Sequence, residues 1–454
     1  RQGLQQYISA NQYQNARTVD LWSALEKASN QPVTSIMETW TGQMGYPVLQ
    51  VDRLPSSQNQ AIRLTQRRFV YDQGTEDDIE KTLWKVPVGI SDSQSSQETR
   101  LVLNDSQADV PLSTSSDPNS WFKVNPSQTG FFRVNYSNED WGRLIPVIRS
   151  KTLTATDRLG IQNDAYALSR AGLLPVSQFL SLADAYKNED DASVWSDLAS
   201  NLRDVDTLIA NQPYHNDYRK FALDIFTSKA SLIGWDQRPG EGHLDALLRS
   251  TVLSQAGSYG DEGVLGEAQN RFNQYIGDPS SLHPDIRGLV YSLCALNGSR
   301  NTYDQLWDLA KNTDLQEEYV RLLIGLTRFT SPELLQETLT RSLTDDVRLQ
   351  DTITVVTAVA ANLNGRDLAW NFLKDQWEEF DKRYGGGGFG LMRLVSMCGT
   401  FSTADRLEEV QSFFEQHPTP AAERTIQQSL ERINLNIRWL ERNNTQLVAM
   451  FKGS

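Results

Sequence analysis

Trp121-Phe122-Lys123-Val124-Asn125-Pro126-Ser127-Gln128-Thr129-Gly130-Phe131-Phe132-Arg133-Val134-Asn135-Tyr136 is the stretch on which the reading of the fold turns. Trp121 to Val124 and Phe131 to Tyr136 read as two strands, and the polar run Asn125 to Gly130 between them reads as the turn of a hairpin. Phe132, Val134 and Tyr136 alternate with Arg133 and Asn135, the pattern of a half-buried strand. Before this stretch the apolar residues recur every second position; after it they recur every third or fourth.

Upstream, Val48-Leu49-Gln50-Val51, Ile62 to Gln66, Leu83 to Val88 and Leu101-Val102-Leu103 are short β-branched or alternating runs. With the pair above they predict about six or seven strands, a small β-sandwich over residues 46–137. Residues 1–45 read as helices. Thr18 is placed to cap one, with Asp20 near the positive end of its dipole. Pro32 fits the first turn of the next, where Val33, Ile36, Met37 and Trp40 share a face. Gly45 and Pro47 end the helical pattern.

Downstream, residues 138–454 contain no convincing strand. Leu159 to Ala171, Pro175 to Tyr186, Val194 to Leu208, Tyr319 to Phe329 and Pro332 to Leu343 are amphipathic segments separated by short Pro, Gly or Asn breaks. The most regular is the last, where Ala422, Ile426, Leu430, Ile433, Ile437 and Leu440 predict one packed face and leave Glu431, Arg432, Asn436 and Arg438 outside. About sixteen such helices make a right-handed solenoid or bowl of helical hairpins (HEAT- or armadillo-like), without a strict repeat consensus. The fold class is therefore multidomain and mainly α.

Composition excludes several functions. With 43 basic and 57 acidic residues the net charge is −14, so nucleic acid is not an expected partner. No apolar run is long enough for a membrane span. The chain has two cysteines, Cys294 and Cys398, and four histidines, so neither a disulfide scaffold nor a CxxC or HExxH zinc site can be built locally. The run Gly385 to Gly390 lacks the Lys-Ser/Thr pair of a phosphate loop and reads as a connection between helices. Asp190-Asp191, Asp345-Asp346 and Glu378-Glu379 read as solvated helix ends rather than metal ligands. The glycosylation sequons at Asn104, Asn135, Asn297 and Asn443 are no more than chance provides. No catalytic constellation emerges from the residues alone. The start at Arg1 instead of Met leads us to expect a piece of a longer chain.

Several local patterns, in order along the whole chain, resemble one family. They are Gly3-Leu4-Gln5-Gln6-Tyr7, Asn15 to Trp22, Met37-Glu38-Thr39-Trp40-Thr41-Gly42-Gln43-Met44-Gly45-Tyr46-Pro47-Val48, and Trp84 with Pro87. Gly130 to Tyr136, Asp157-Arg158 with Asp164-Ala165-Tyr166-Ala167-Leu168, Phe401-Ser402-Thr403 with Leu407 to Val410, and Asn436 to Leu440 complete the set. Their order and spacing are similar to the C-terminal half of the gluzincin zinc aminopeptidases, the family of aminopeptidase N, puromycin-sensitive aminopeptidase and the endoplasmic-reticulum aminopeptidases. On that resemblance, residues 1–45 are the last helices of a catalytic domain, followed by the sandwich and the helical domain.

The resemblance implies a zinc-dependent hydrolase that removes N-terminal residues from peptides. It also implies that the zinc ligands, the Gly-Ala-Met-Glu-Asn loop and the catalytic Tyr belong to a part of the protein not present here. No catalytic or metal-binding residue is assigned to this chain, and no cofactor is expected in it. Its expected partners are peptide substrates and the N-terminal and catalytic domains of the same protein. The absence of the extra Cys pairs of cell-surface members implies a cytoplasmic location, the secretory-pathway lumen being the alternative. Tyr186-Lys187 resembles a Tyr-Lys pair that faces the catalytic domain in the endoplasmic-reticulum enzymes. Lys187 would offer a cation and Tyr186 a hydroxyl to a peptide carboxylate, with Arg348 on a later helix as a second cation. Against this stands the reading that the residues alone favour, Lys187 as a helix C-terminal cation. The competing function is a free-standing helical-repeat interaction scaffold without enzyme activity.

Overall fold

The computed structural model describes residues 1–54, 61–72, 82–95, 97–112, 119–386 and 388–451. Among them are seven strands: β1 (Pro47–Leu54), β2 (Ala61–Arg68), β3 (Val86–Asp92), β4 (Thr99–Leu103), β5 (Gln107–Pro111), β6 (Phe122–Val124) and β7 (Arg133–Tyr136). One sheet has the order β5-β2-β1-β7 and the other β4-β3-β6. Val48, Leu49, Val51, Ile62, Leu64, Trp84, Val86, Val88, Ile90, Val124 and Val134 are essentially inaccessible and form the core.

The stretch 121–136 is not a hairpin. β6 pairs antiparallel with β3, Ile90 opposite Val124, whereas β7 runs parallel to β1 in the other sheet, Leu49 opposite Val134. The connection takes the chain from one layer to the other. Asn125, Ser127 and Gln128 all lie in the left-handed region, at φ 61°, 57° and 52°. Asn125 holds the turn by accepting from Gly130 N at 2.8 Å and donating to Gly130 O at 3.0 Å, while Ser127 N donates to Asp157 Oδ1 at 2.7 Å. Phe131 falls outside β7 and is 70% exposed. Asn135 is not on a solvated face, because its amide donates to Gln50 Oε1 at 2.8 Å in a buried site. β5 went unread because Gln107-Ala108-Asp109-Val110-Pro111 has too few apolar residues to show alternation; it is an edge strand.

The N-terminal helices are α1 (Gln2–Ala10), α2 (Thr18–Ser29) and α3 (Val33–Thr41). Thr18 lies inside α2 and does not cap it; Asp20 Oδ2 instead accepts from Arg17 N at 2.8 Å. Pro32 precedes α3 as its cap residue. Trp40 Nε1 donates to Lys85 O at 3.0 Å, tying α3 to the sandwich. The chain divides into two compact units, residues 1–186 and 187–454. The first also holds α4 (Asn138–Arg149), α5 (Ala155–Ala171) and α6 (Val176–Asp184). Ser137 and Thr154 cap α4 and α5, and Gly172, at φ 77°, ends α5.

The second unit is helical throughout its described residues. One series, α7 (Ala192–Leu208), α9 (His243–Tyr259), α11 (Pro284–Leu296), α13 (Gln316–Leu326), α15 (Leu349–Ala360), α18 (Phe389–Ser396) and α20 (Glu423–Phe451), packs each member on the next. Between them run α8 (His215–Ile233), α10 (Glu262–Gly277), α12 (Arg300–Lys311), α14 (Pro332–Arg341), α16 (Arg366–Asp375), α17 (Trp377–Tyr384) and α19 (Ala404–Gln416). Nearest-neighbour stacking of this kind is what the amphipathic periodicity calls for.

On α20 the buried line is not the expected one. Ser429, Ile433, Asn436, Trp439, Asn443, Leu447 and Phe451 are buried, while Ile426, Leu430, Ile437 and Leu440 are only half-buried. Asn436, expected outside, donates to Gly399 O at 3.0 Å and Phe401 O at 2.8 Å. Those carbonyls end a 3₁₀ turn and need a donor, and the amide supplies it. Asn135 and Asn443 are buried, so two of the four sequons are inaccessible in the folded chain. Both cysteines are buried and free. Gly387 of the glycine run lies outside the described residues.

Candidate functional site

Tyr186 is 1% exposed, and its hydroxyl donates to Arg158 O at 2.7 Å. Lys187, in the 3₁₀ turn after α6, donates from Nζ to Asp224 Oδ2 at 2.6 Å. Arg348 precedes α15 and is exposed, its guanidinium 4.9 Å from the centre of the Tyr319 ring. Tyr186 and Lys187 thus hold protein partners already, and Arg348 is a surface cation.

A second set of cations was not singled out from the sequence. Helix C-termini present carbonyls without intrahelical donors, and in the second unit side chains reach several of them. Arg366 Nη1 makes long contacts to Thr207 O (3.4 Å) and Thr400 O (3.5 Å), and Arg219 Nη2 donates to Ser258 O. Asn362 Nδ2 donates to Thr327 O at 2.9 Å and Phe329 O at 2.8 Å, fixing the backbone on both sides of Arg328. Asp206 accepts from Arg219 at 3.1 Å and lies 2.8 Å from His215 Nε2.

Two guanidiniums remain. Neither Arg203 nor Arg328 has an acidic partner among the described residues. Burial, and then the charge of Arg203, lower the affinity of Arg328 for its proton. Close by, Tyr259 is 7% exposed, and its Oη has no partner among the described residues. Burial raises its pKa above the usual phenol range; the negative charge of Asp206 adds to this, and Arg219 and Arg203 oppose it. Arg366 is buried too, its Nε unpartnered among the described residues, and burial lowers its pKa. Arg328 and Arg366, both desolvated, the exposed Arg203 and the partnerless Tyr259 hydroxyl are groups that an anion with several acceptor oxygens would satisfy. The signal in the sequence was slight: Arg328 is a charge just beyond the apolar run Leu322-Leu323-Ile324-Gly325-Leu326.

A two-layer sandwich followed by a helical array defines a multidomain, mainly α architecture. Residues 121–435 match the ERAP1-like C-terminal domain, and residues 1–40 match the Peptidase family M1 domain. The chain belongs to the family of ERAP1-like C-terminal domains. Aminopeptidase M1-A of Oryza sativa subsp. japonica is 34% identical to it over 454 residues, which cover 97% of this chain and 50% of the relative. Puromycin-sensitive aminopeptidase of Caenorhabditis elegans is 30% identical over 469 residues, 100% of this chain and 49% of the relative. Glutamyl aminopeptidase of Sus scrofa is 32% identical over 457 residues, 98% of this chain and 47% of the relative. The chain spans about half the length of the curated relatives it matches. These relatives tell against the free-standing scaffold.

Proposed function

We propose that this chain is the non-catalytic C-terminal portion of a zinc aminopeptidase that removes N-terminal residues from peptides, and that it closes over the active site and shapes peptide access. The observation that carries the reading is the pair of family matches in order, the end of a peptidase domain at 1–40 and the C-terminal domain at 121–435. Residues 1–45 are then the remnant of the catalytic domain, 46–137 the sandwich and 138–454 the helical domain. Leu4, Ile8, Tyr13 and Val19 leave an exposed apolar face on the remnant, which suits packing against the rest of that domain. On this reading the zinc of the whole enzyme is held by the peptidase domain, whose match in this chain is limited to residues 1–40. A cytoplasmic location is supported by two buried, unpaired cysteines.

Within the helical domain, Arg203 and Arg328 are assigned to the carboxylate of the peptide, since the acidic chain as a whole repels it and these two guanidiniums are not neutralised. Lys187 and Arg348 remain as further substrate contacts; Tyr186, expected beside them, is corrected to an interior residue, since it is 1% exposed and its hydroxyl is bound to Arg158 O. Lys187 would have to exchange Asp224 for the ligand. The test uses the full-length enzyme. Arg328→Ala is expected to raise KM for peptides by about three- to tenfold, with KM for a single-residue amide unchanged, because only the peptide carries the distant carboxylate. Lys187→Ala is expected to do the same more weakly. Equal effects on both substrates would remove these residues from peptide binding.

A further inference from the structure

A cavity of about 150 Å³ opens beside the loop that follows α8, bounded by that loop and by α9, α10 and α11. Trp235 and Asp236 line it from the loop, Arg249 from α9, Arg271 from α10, and Asp285 and Ile286 from the first turn of α11. The space would hold about five waters, so it suits one small ligand and not a peptide.

Its polar groups are of both signs. Arg249 is 2% exposed; its Nη2 donates to Glu241 at 2.5 Å and its Nε to Gly234 O at 3.2 Å. No protein partner occupies Arg249 Nη1 among the described residues. Arg271 grips Asp236 with two bonds, 2.9 and 3.2 Å, donates to Glu267 at 2.8 Å, and lies 5.4 Å from the centre of the Trp235 ring. Asp285 has 56% of its side chain exposed, 3.7 Å from His283 Nδ1. The two guanidiniums thus hold Asp236 in the lining and Glu241 and Glu267 behind it, while Asp285 lines the cavity without an arginine partner among the described residues. A simple anion would meet a site already neutralised beyond balance, and a simple cation would meet two arginines. A ligand carrying both charges satisfies each side.

We propose that this cavity binds a free α-amino acid in its zwitterionic form, the carboxylate on Arg249, the ammonium on Asp285 and the side chain against Trp235 and Ile286. A buried guanidinium with one unused nitrogen, Nη1, fixes the carboxylate, and an exposed carboxylate at the mouth receives the ammonium. If the aminopeptidase reading holds, the ligand is the product of the reaction and the site reports product level. That regulatory meaning rests on the proposed function; the binding does not.

The test is a binding titration of this chain, by calorimetry or ligand-observed NMR, with glycine, L-alanine and L-leucine. L-Leucinamide, which lacks the carboxylate, and N-acetyl-L-leucine, which lacks the ammonium, are the controls. L-Leucine is expected to bind, and each blocked analogue to bind at least about tenfold more weakly. Arg249→Met is expected to abolish binding but removes the tie to Glu241 and Gly234, so its folding is at risk. Asp285→Asn and Trp235→Ala change more accessible residues and are expected to weaken L-leucine by about threefold or more. No binding of any of the three amino acids overturns the proposal. So does equal binding of the blocked analogues, or indifference to both Asp285→Asn and Trp235→Ala. An inactive full-length enzyme would defeat the aminopeptidase reading while leaving these results as they stand.

Discussion

The hydroxyl of Tyr214 donates to the side-chain oxygen of Asn444 at 3.1 Å, across 230 positions of sequence. It joins the start of the helical array to its last helix. Around the bond the ring of Phe451 lies 5.7 Å from Tyr218, 5.8 Å from Phe221 and 6.5 Å from Tyr214. A stack of helices held only by nearest neighbours can fray from either end. Here the end of α20 is packed against α8, so the terminal repeat is anchored on both sides.

Phe451 should therefore matter more than a residue so near the end of the chain ordinarily would. It is 5% exposed, and Phe451→Ala removes a buried ring from three aromatic neighbours. The expected loss is about 3 kcal/mol or more, read as a lower urea midpoint. A loss within about 0.5 kcal/mol, the range of a surface change, would mean the closure carries no stability.

Asn436→Leu tests the other unexpected feature of α20. Leucine is apolar and of similar size, so a helix face governed by hydrophobicity alone would welcome it. The buried amide instead serves two carbonyls, at Gly399 and Phe401. Leaving them without a donor should cost about 1–3 kcal/mol. A stabilised variant would show that water reaches those carbonyls.

These particulars show what the sequence could convey. The strands of the sandwich and the helical segments were legible, since local periodicity states which face is buried. The change from strand to helix after Tyr136 was legible for the same reason, although the compact units divide at residue 186. The path between β6 and β7 was not, because three non-glycine residues at positive φ are held by Asn125 and by Asp157, the latter 30 positions downstream of Ser127. Nor was the arginine site. That Arg328 has no acidic partner while Arg321 pairs with Glu317 and Glu318 is a fact of three-dimensional placement, and the two residues look alike in the sequence.

Lys123 gives a pH dependence whose sign can be worked out. It is 1% exposed, and its Nζ donates to Val124 O at 2.6 Å and Asn125 O at 3.1 Å. Burial pushes it down to about 8 from 10.5, against the pull of Asp164 and Asp157. Asp164 is itself raised to about 6 by burial, opposed by Arg133 and Lys123. Because the folded pKa of Lys123 is depressed, the unfolded chain holds the extra proton between about 8 and 10.5. Folding is therefore favoured increasingly as pH rises through that window, and the cost of burying the ammonium is fully present below it. In urea unfolding followed from about pH 7 to about pH 10.5, wild type should gain on Lys123→Met through the upper window. Parallel curves for the two proteins would show that Lys123 does not titrate there.

Arg328 separates a residue kept for binding from one kept for folding. A guanidinium that is desolvated and unpaired costs stability, because its lost hydration is not replaced by a carboxylate. Burial and the charge of Arg203 both act against its ionised form. Arg328→Met keeps the length and apolar character of the side chain and removes the charge. The expected result is a protein as stable as wild type or more stable, by up to about 1 kcal/mol, that has lost affinity for carboxylate-terminated peptides. Arg321→Met, five positions before the C-terminal end of α13, is the contrast: it breaks the pairs to Glu317 and Glu318 at 2.8 and 3.2 Å and should be neutral or slightly destabilising. Thermal melting with and without a short peptide reads both effects at once, since a bound ligand raises the midpoint. If Arg328→Met melts well below Arg321→Met, with peptide protection intact, Arg328 serves the fold and the carboxylate must be received elsewhere.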